Sequence, residues 1–356
     1  MYYLRRIIIV LFLIAASAKI NAQLVVNNTT YTTDQLVQNI LLSGGITVSN
    51  ITFKGVPVAI GFFNGMNSNL GLDSGIVMTT GDIYTAAGPN NISAATCPDD
   101  VFGGGRTGDS DLDAISNFDS FDAAILEFDF VALSDSIKFR YVFGSDEYME
   151  YVNSLVSDAF GFFISGPGIT GPYSNNSENI ALIPSTASAV TIDSLNLNVH
   201  STYYFDNGDG AGTGTAPDGA TVQYDGFTVP LTAKAKVQCG TTYHIKLAIG
   251  DVGDNFVDSG VFLEAGSFGS IHPCEVIAPN VFTPNNDGVN DFFEFPNLNT
   301  FNKNKLLVYN RWGNLIYEDE NYQNDWTANK IPDGTYYYML SIPGKDILKG
   351  FVTIIR

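Results

Sequence analysis

Ile125-Leu-Glu-Phe-Asp-Phe-Val131 and Ser136-Ile-Lys-Phe-Arg-Tyr-Val-Phe143 decide the fold. In the first stretch apolar and acidic residues alternate. In the second, Ile137, Phe139 and Tyr141 fall on one side and Lys138, Arg140 and Val142 on the other. A period of two sends successive side chains to opposite faces, as in strands with one buried face. Outward from this pair, Ala159 to Ser165, Ile180 to Ile183, Tyr224 to Leu231, Thr242 to Ile249 and Gly260 to Ala265 read as further short strands, separated by Gly, Asn and Asp. The pattern predicts a mainly β chain with a jelly-roll-like or β-sandwich central domain. One short amphipathic helix is expected over Asp34 to Leu42, with Leu36, Val37, Ile40 and Leu41 on one face and Gly44-Gly45 as its stop. Gly88 to Phe121 and Asp206 to Gly219 read as long surface loops.

Near His272-Pro-Cys-Glu275 the pattern changes. Ala278 to Phe282, Lys305 to Tyr309, Leu315 to Tyr317, Thr335 to Ile342 and Lys349 to Ile355 form a second set of strands, with turns marked by Asn-Asp-Gly, Trp-Gly-Asn and Pro-Asp-Gly. This predicts a small immunoglobulin-like β-sandwich over 275–356, after a central domain over 23–274. At the other end, Arg5 and Arg6 precede an apolar run from Ile7 to Ala16, and Ala18 and Ala22 are candidate cleavage points. The run is shorter than the roughly 20 residues a membrane span needs, so residues 1–22 are expected to be a signal peptide. No later segment is apolar enough to span as a helix.

The composition, with 45% hydrophobic residues, 25 Phe and 18 Tyr, describes a folded β-rich chain. Charge is distributed unevenly. Residues 275–356 hold 7 basic and 10 acidic side chains, whereas 23–274 hold 7 basic and 27 acidic, matching the whole chain's net −20. So acidic a domain repels phosphate backbones, which argues against nucleic-acid partners, and attracts hard divalent cations. Of three cysteines, Cys239 and Cys274 flank the last strands of the central domain and are the expected disulfide, leaving Cys97 in a loop.

Two acidic groups, Ser145-Asp-Glu-Tyr148 with Asp158 and Asp251-Val-Gly-Asp-Asn-Phe-Val-Asp258, each follow an expected strand and could converge at one edge. Calcium needs six to eight oxygens, so Asp146, Glu147, Asp158, Asp251, Asp254 and Asp258 are its candidate ligands. The competing reading is that these acids cap loop backbones, as Asp commonly does. Asn285 to Glu294 partly echoes an EF-hand loop, but Pro284 excludes an entering helix, and an Asx-rich turn is the better account. Gly103-Gly-Gly-Arg-Thr-Gly108 fits a dinucleotide pattern only formally, because neither a preceding strand nor a following helix is expected there. His200, His244 and His272 are scattered, and His244 reads as a strand residue rather than a base.

The C-terminal unit resembles the type B sorting domain of the Bacteroidota type IX secretion system, the gliding motility-associated C-terminal domain. The residues that carry the likeness are Asn280, Phe282, Pro284, Asn285, Asp287, Gly288, Asn290 and Asp291 in the first motif and Asn310, Arg311, Trp312 and Gly313 in the second. Pro332, Asp333 and Gly334 form the third, and Lys349 and Gly350 open the last. The family often has Trp-Asp-Gly mid-domain, where this chain has Trp326-Thr-Ala. The resemblance implies passage to the periplasm and export by the type IX secretion machinery in the outer membrane. Residues 30–268 resemble the choice-of-anchor L domain through Gly75-Ile-Val-Met-Thr-Thr-Gly81, Phe139 to Tyr148, Phe160 to Gly168 and Tyr243 to Asp254. That likeness implies a surface module without an established activity.

The expectation is therefore a secreted or cell-surface, non-enzymatic module that binds an extracellular glycan or protein, with calcium rigidifying its loops. Two rivals are a secreted carbohydrate-active hydrolase, which would need two carboxyls facing a sugar, and a structural part of the envelope or gliding apparatus.

Overall fold

The computed structural model describes residues 23–43, 46–93, 107–253, 256–270, 275–301 and 303–356. The two deciding stretches are strands β5 (Ser120–Val131) and β6 (Ser136–Ser145), and they lie in opposite sheets. The first sheet joins β1 (Val25–Asn27), β3 (Ile60–Asn64), β4 (Ser74–Thr79), β13 (Ser259–Glu264), β6, β10 (Gly226–Thr228) and β9 (Tyr204–Asp206) in that order. Strands β11 (Leu231–Lys236) and β14 (Gly269–Ser270) also pair with β6. The second sheet runs β2 (Val48–Lys54), β5, β12 (Thr242–Val252), β7 (Ala159–Ser165) and β8 (Glu178–Asn179).

The core between them follows from the period-two pattern. Phe139, Tyr141 and Phe143 of β6 meet Phe160 and Phe162 of β7, with ring centroids 4.6–5.6 Å apart. Leu126, Phe128 and Phe130 of β5 and Ile245, Leu247 and Ile249 of β12 complete the layer. The sheets therefore form a β-sandwich, as expected.

Their outer faces differ. Leu70, Leu72, Ile83, Val222 and Tyr224 fold over the first sheet and pack on its outward Val77, Val142 and Phe262. The second sheet is partly covered by a helix, which lies inside the segment expected to be all loop. Its residues are Ser110–Ser116, with Asp109 as N-cap accepting from the Asp111 amide and Asp111 and Asp113 in the acid-favoured first turn. Leu112 of this helix packs on Ile125, Phe163 and Ala248.

The expected N-terminal helix is a capped turn at Thr33–Gln35 running into a π-helical stretch, Leu36–Leu41. Its expected Gly44-Gly45 stop lies outside the described residues, as do the expected signal peptide and the Gly103–Arg106 part of the glycine run. Ile180 to Ile183 is not a continuous strand. It follows the two-residue β8 and makes an isolated bridge at Leu182.

The C-terminal strands form their own sheet: β15 (Val281–Phe282), β19 (Leu348–Ile354), β18 (Gly334–Ser341), β16 (Lys305–Tyr309) and β17 (Leu315–Asp319), in that order. One face is closed by Phe293, Phe295, Tyr322 and Trp326 from the connecting segments, giving an aromatic core separate from that of the sandwich.

Candidate functional site

Antiparallel pairing brings the ends of four strands together. Strand β6 ends at Ser145 and continues into Asp146 and Glu147, while its neighbour β13 starts at Ser259, opposite Ser145, so that Asp258 enters beside them. In the other sheet β7 starts at Ala159 opposite Gly250 of β12, which sets Asp158 against Asp251. A bulge between Ile249 and Asp251 interrupts the β5 ladder there, facing Asp122 in a left-handed conformation (φ 49°). The structure thus assembles five of the six predicted acids; Asp254 lies outside the described residues. All five are 1–4 % exposed.

Many of their oxygens are held by local donors. The Asp158 amide donates to Glu147 Oε2 at 2.8 Å, and Asp158 itself accepts from the Val252 amide at 3.2 Å and the Ser259 hydroxyl at 2.7 Å. Asp258 accepts from the Thr85 hydroxyl, and the Asp146 amide donates to the Asp258 carbonyl at 3.3 Å. A sixth acid joins them: the Asp225 amide donates to Asp146 Oδ1 at 3.1 Å, and Asp225 Oδ1 accepts from Asn90 Nδ2 at 2.9 Å. Tyr224, fully buried beside it, spans the first sheet from Gly144 to Gly260, where a Cβ would come within 2.7 Å of its ring and 2.4 Å of its hydroxyl.

Among the described residues, four polar atoms here find no hydrogen-bond partner: Asp146 Oδ2, Asp225 Oδ2, Asp251 Oδ1 and the Tyr224 hydroxyl. No lysine or arginine pairs with Asp146, Asp158, Asp225 or Asp251 among the described residues. Burial, reinforced by the charges of Asp225 and Asp258, holds the Asp146 carboxyl well above the usual range. Asp158 is raised by burial and then by Glu147 and Asp251, and Asp251 by burial and then by Asp258. Asp225 is pushed up to about 7, chiefly by burial, against the Asn90 hydrogen bond. This is what low dielectric and mutual repulsion do to neighbouring buried carboxylates. Among the described residues no three acidic, His or Cys side chains converge as a preformed metal-ligand set.

Sequence reasoning missed Asp225 and Tyr224 because Gln223-Tyr-Asp-Gly226 reads locally as the start of a strand. Only the pairing of β10 with Ser145 places that start at the centre.

The outer face of the second sheet carries a different polar group. His244 Nδ1 lies 2.8 Å from Asp129 and Nε2 3.3 Å from Glu127, and Lys246 bridges Asp109 (2.7 Å) and Asp111 (2.5 Å). With Lys54, Ser165 and Asn175, the residues Asp109, Asp111, Glu127, His244 and Lys246 line a cleft of about 180 Å³. His244 is thus a bridge between two carboxylates on the outward face of a central strand.

The sorting-motif residues gather in two places. The turn after β15 closes on itself: Asp291 accepts from the Asn286 and Gly288 amides, Asn285 from the Asp287 amide, and Asp287 from the Val289 amide, all at 2.6–3.0 Å. Gly288 (φ 87°) and Asn290 (φ 54°) supply the left-handed conformations the turn needs. Those carboxylates are spent on backbone amides, which is the Asx-turn account and not an EF-hand. Asp333 pairs with the Arg356 guanidinium at 2.6 Å, Pro332 accepts from the Tyr336 hydroxyl, and Gly334 opens β18. Pro284, Asn286, Asp291, Pro332 and Arg356 share a cleft of about 600 Å³.

Asn310 caps the β16–β17 turn by accepting from the Trp312 and Asn314 amides, with Gly313 at φ 79°. Arg311 stacks on Trp312 at 4.3 Å, and that indole is 70% exposed. Lys349 and Gly350 lie beside this turn, with Gly350 paired to Tyr338. Phe282 is core, and Asn280 accepts from the Thr353 amide through its carbonyl. Trp326, where the family's Trp-Asp-Gly would begin, keeps its core role against Phe282 and Tyr317. Cys239 is disulfide-bonded; both other cysteines, Cys97 and Cys274, lie outside the described residues.

Comparison with known proteins agrees with this division. A choice-of-anchor L domain model matches residues 25–269, and a type IX secretion signal domain model matches residues 276–354. No curated protein matches the chain. Among solved structures, the BSP domain of a biofilm-associated protein aligns at 9% identity and a TM-score of 0.17, covering 68% of this chain and half of that one. No helix among the described residues is long and apolar enough to cross a membrane. The chain belongs to the choice-of-anchor L domain family and ends in a type IX secretion signal domain, which marks it for export to the cell surface or beyond.

Proposed function

We propose that the chain is a surface-displayed adhesion module whose central sandwich binds an extracellular glycan or protein, carried out of the cell by its sorting domain. The observation that supports this most directly is the joining of a choice-of-anchor sandwich to a type IX signal domain with a hydrophobic core of its own. The cleft around Glu127, His244 and Lys246 is where a polar ligand would be engaged. It lies beside the end of the helix that partly covers the second sheet and offers both donors and acceptors.

A carbohydrate-active hydrolase would need two carboxyls facing its substrate. The acids at the strand ends are too buried for that, and Glu127 and Asp129 are both tied to His244. Deleting 276–356 should strand the remaining chain in the periplasm, as read by fractionation and surface labelling. Surface display of the truncated chain would refute the sorting half of the proposal. For the binding half, the exported chain should bind members of a glycan or matrix-protein array without degrading them, and release of reducing sugar would favour the hydrolase.

A further inference from the structure

The cleft on the outward face of the second sheet holds a polar group that packing does not explain. Ser177 lines it at 3 % exposure, and the Ser177 hydroxyl finds no hydrogen-bond partner among the described residues. Buried polar groups in folded proteins are almost always satisfied, so an orphan at a cleft calls for a water or a ligand.

The cleft is a shaped site. Its floor is the sheet, where antiparallel register sets Glu127 of β5 against Lys246 of β12, and Lys246 against Phe163 of β7. One wall is the start of the Ser110–Ser116 helix and the other is the turn at Ser174–Asn176. The Ser174 amide and hydroxyl both donate to Asp111 Oδ1, at 2.8 and 2.9 Å. Lys246 reaches Asp109 and Asp111 from the sheet, so walls and floor are tied together. Other lining groups take no part in this frame: Lys54, Asn175 and the hydroxyls of Ser165 and Ser177. Glu127 meets His244 through Oε1 alone, at 3.3 Å, and its second oxygen is available.

These remaining groups set the chemistry of the ligand. Hydroxyls and the Asn amide both donate and accept, the carboxylate accepts and the ammonium donates. They surround a small apolar patch, Ile125 and Phe163. A sugar ring is the complement, with hydroxyls of both roles set around C–H faces. At about 180 Å³ the cleft is smaller than the 300–1,000 Å³ usual for a drug-sized ligand, so it takes a single small unit. Asp109, Asp111, Glu127 and Asp129 outnumber Lys54 and Lys246 here, so a sugar bearing a carboxylate is repelled.

We propose that this cleft binds one neutral sugar unit of an extracellular glycan, with Glu127 accepting from its hydroxyls and Asn175 and Ser177 adding further hydrogen bonds. The sugar site rests on the adhesion reading above and deepens it, choosing glycan over protein and fixing where the glycan sits.

The test is titration of the whole chain with the methyl glycosides of glucose, galactose, mannose and fucose, and with methyl glucuronoside. Binding is followed by ligand-observed NMR and calorimetry. At least one neutral glycoside should bind, and the glucuronoside at least about tenfold more weakly. Glu127→Gln should weaken binding about tenfold and Ser177→Ala about two- to tenfold. The thermal midpoint of Ser177→Ala should stay level or rise, because the hydroxyl removed has no partner in the chain. Neutral glycosides bound equally by both variants would put the sugar elsewhere and overturn the site. Tighter binding of the glucuronoside would overturn the neutral assignment. Affinity lost in Ser177→Ala only with a lowered midpoint would make that hydroxyl a packing element and overturn its role. Binding of a matrix protein but of no glycoside would overturn the sugar site and leave adhesion standing, whereas binding of neither would overturn both.

Discussion

Lys246 carries two ion pairs in a nearly closed setting, its side chain 12% exposed and that of Asp111 4%. Burial alone would push the Asp111 carboxyl up, but hydrogen bonds from Lys246 and Ser174 outweigh it and hold the group below the usual range. A depressed carboxyl contributes stability that is present above its unfolded value and is lost as pH falls through the folded one. Lys246→Met leaves Asp109 and Asp111 without their cation and should cost about 3 kcal/mol near neutral pH. Urea unfolding of both chains at neutral pH and at about pH 2 checks this, with the gap expected to close as Asp111 protonates. A constant gap would assign the loss to packing against Phe163, over whose ring the ammonium lies at 4.8 Å. At this scale the sequence was partly legible. It singled out other carboxylates, and which acids find a cation depended on tertiary placement: strand register sets His244 opposite Asp129, and the end of the Ser110–Ser116 helix brings Asp109 and Asp111 to Lys246.

Elements were legible where the pattern was long. Strands β5 and β6 show in the alternation of their residues, because a buried face enforces it residue by residue. The helix at Ser110–Ser116 was missed although Asp109 and the acids after it form a good N-terminus. Seven residues offer too little periodicity to stand out, and packing of Leu112 on the second sheet does the rest. Strand β13 illustrates how close packing restricts an element. Gly260 lies in its interior, where a Cβ would come within 2.4 Å of the Tyr224 hydroxyl. Gly260→Ala should therefore displace Tyr224 and cost about 1–3 kcal/mol, an overpacking loss measurable by denaturant titration. Gly266→Ala, where no atom lies within 4 Å but φ is 61°, isolates backbone strain and should cost less. On the outward side of the second sheet, Asn175→Ala at the cleft should weaken ligand binding with little change in stability. Equal binding by that variant would move the ligand to another face.

At the scale of the whole molecule, export and binding rest on two separate cores. Trp326 closes the smaller one at 8 % exposure, stacked on Tyr317 at 5.0 Å. Trp326→Ala should cost ~3–5 kcal/mol and reduce surface delivery of the chain, whereas Ile347→Ala, at a half-exposed position, should leave delivery unchanged. Equal delivery of both variants, measured by surface labelling, would mean that the signal is read from exposed motif residues without the folded core. The sequence by itself determined the strand alternation, the turn chemistry of Asn285–Asp291 and Asn310–Gly313, the acidic balance of residues 23–274 and the family of each part. All of these are local properties, written in spacing and residue type. Only the tertiary structure decided that Asp225 and Tyr224 join the acidic centre, that His244 bridges two carboxylates, and that Pro284 and Arg356 share one cleft. Those groupings depend on antiparallel register between strands far apart in the chain, and no local pattern encodes which ends will meet.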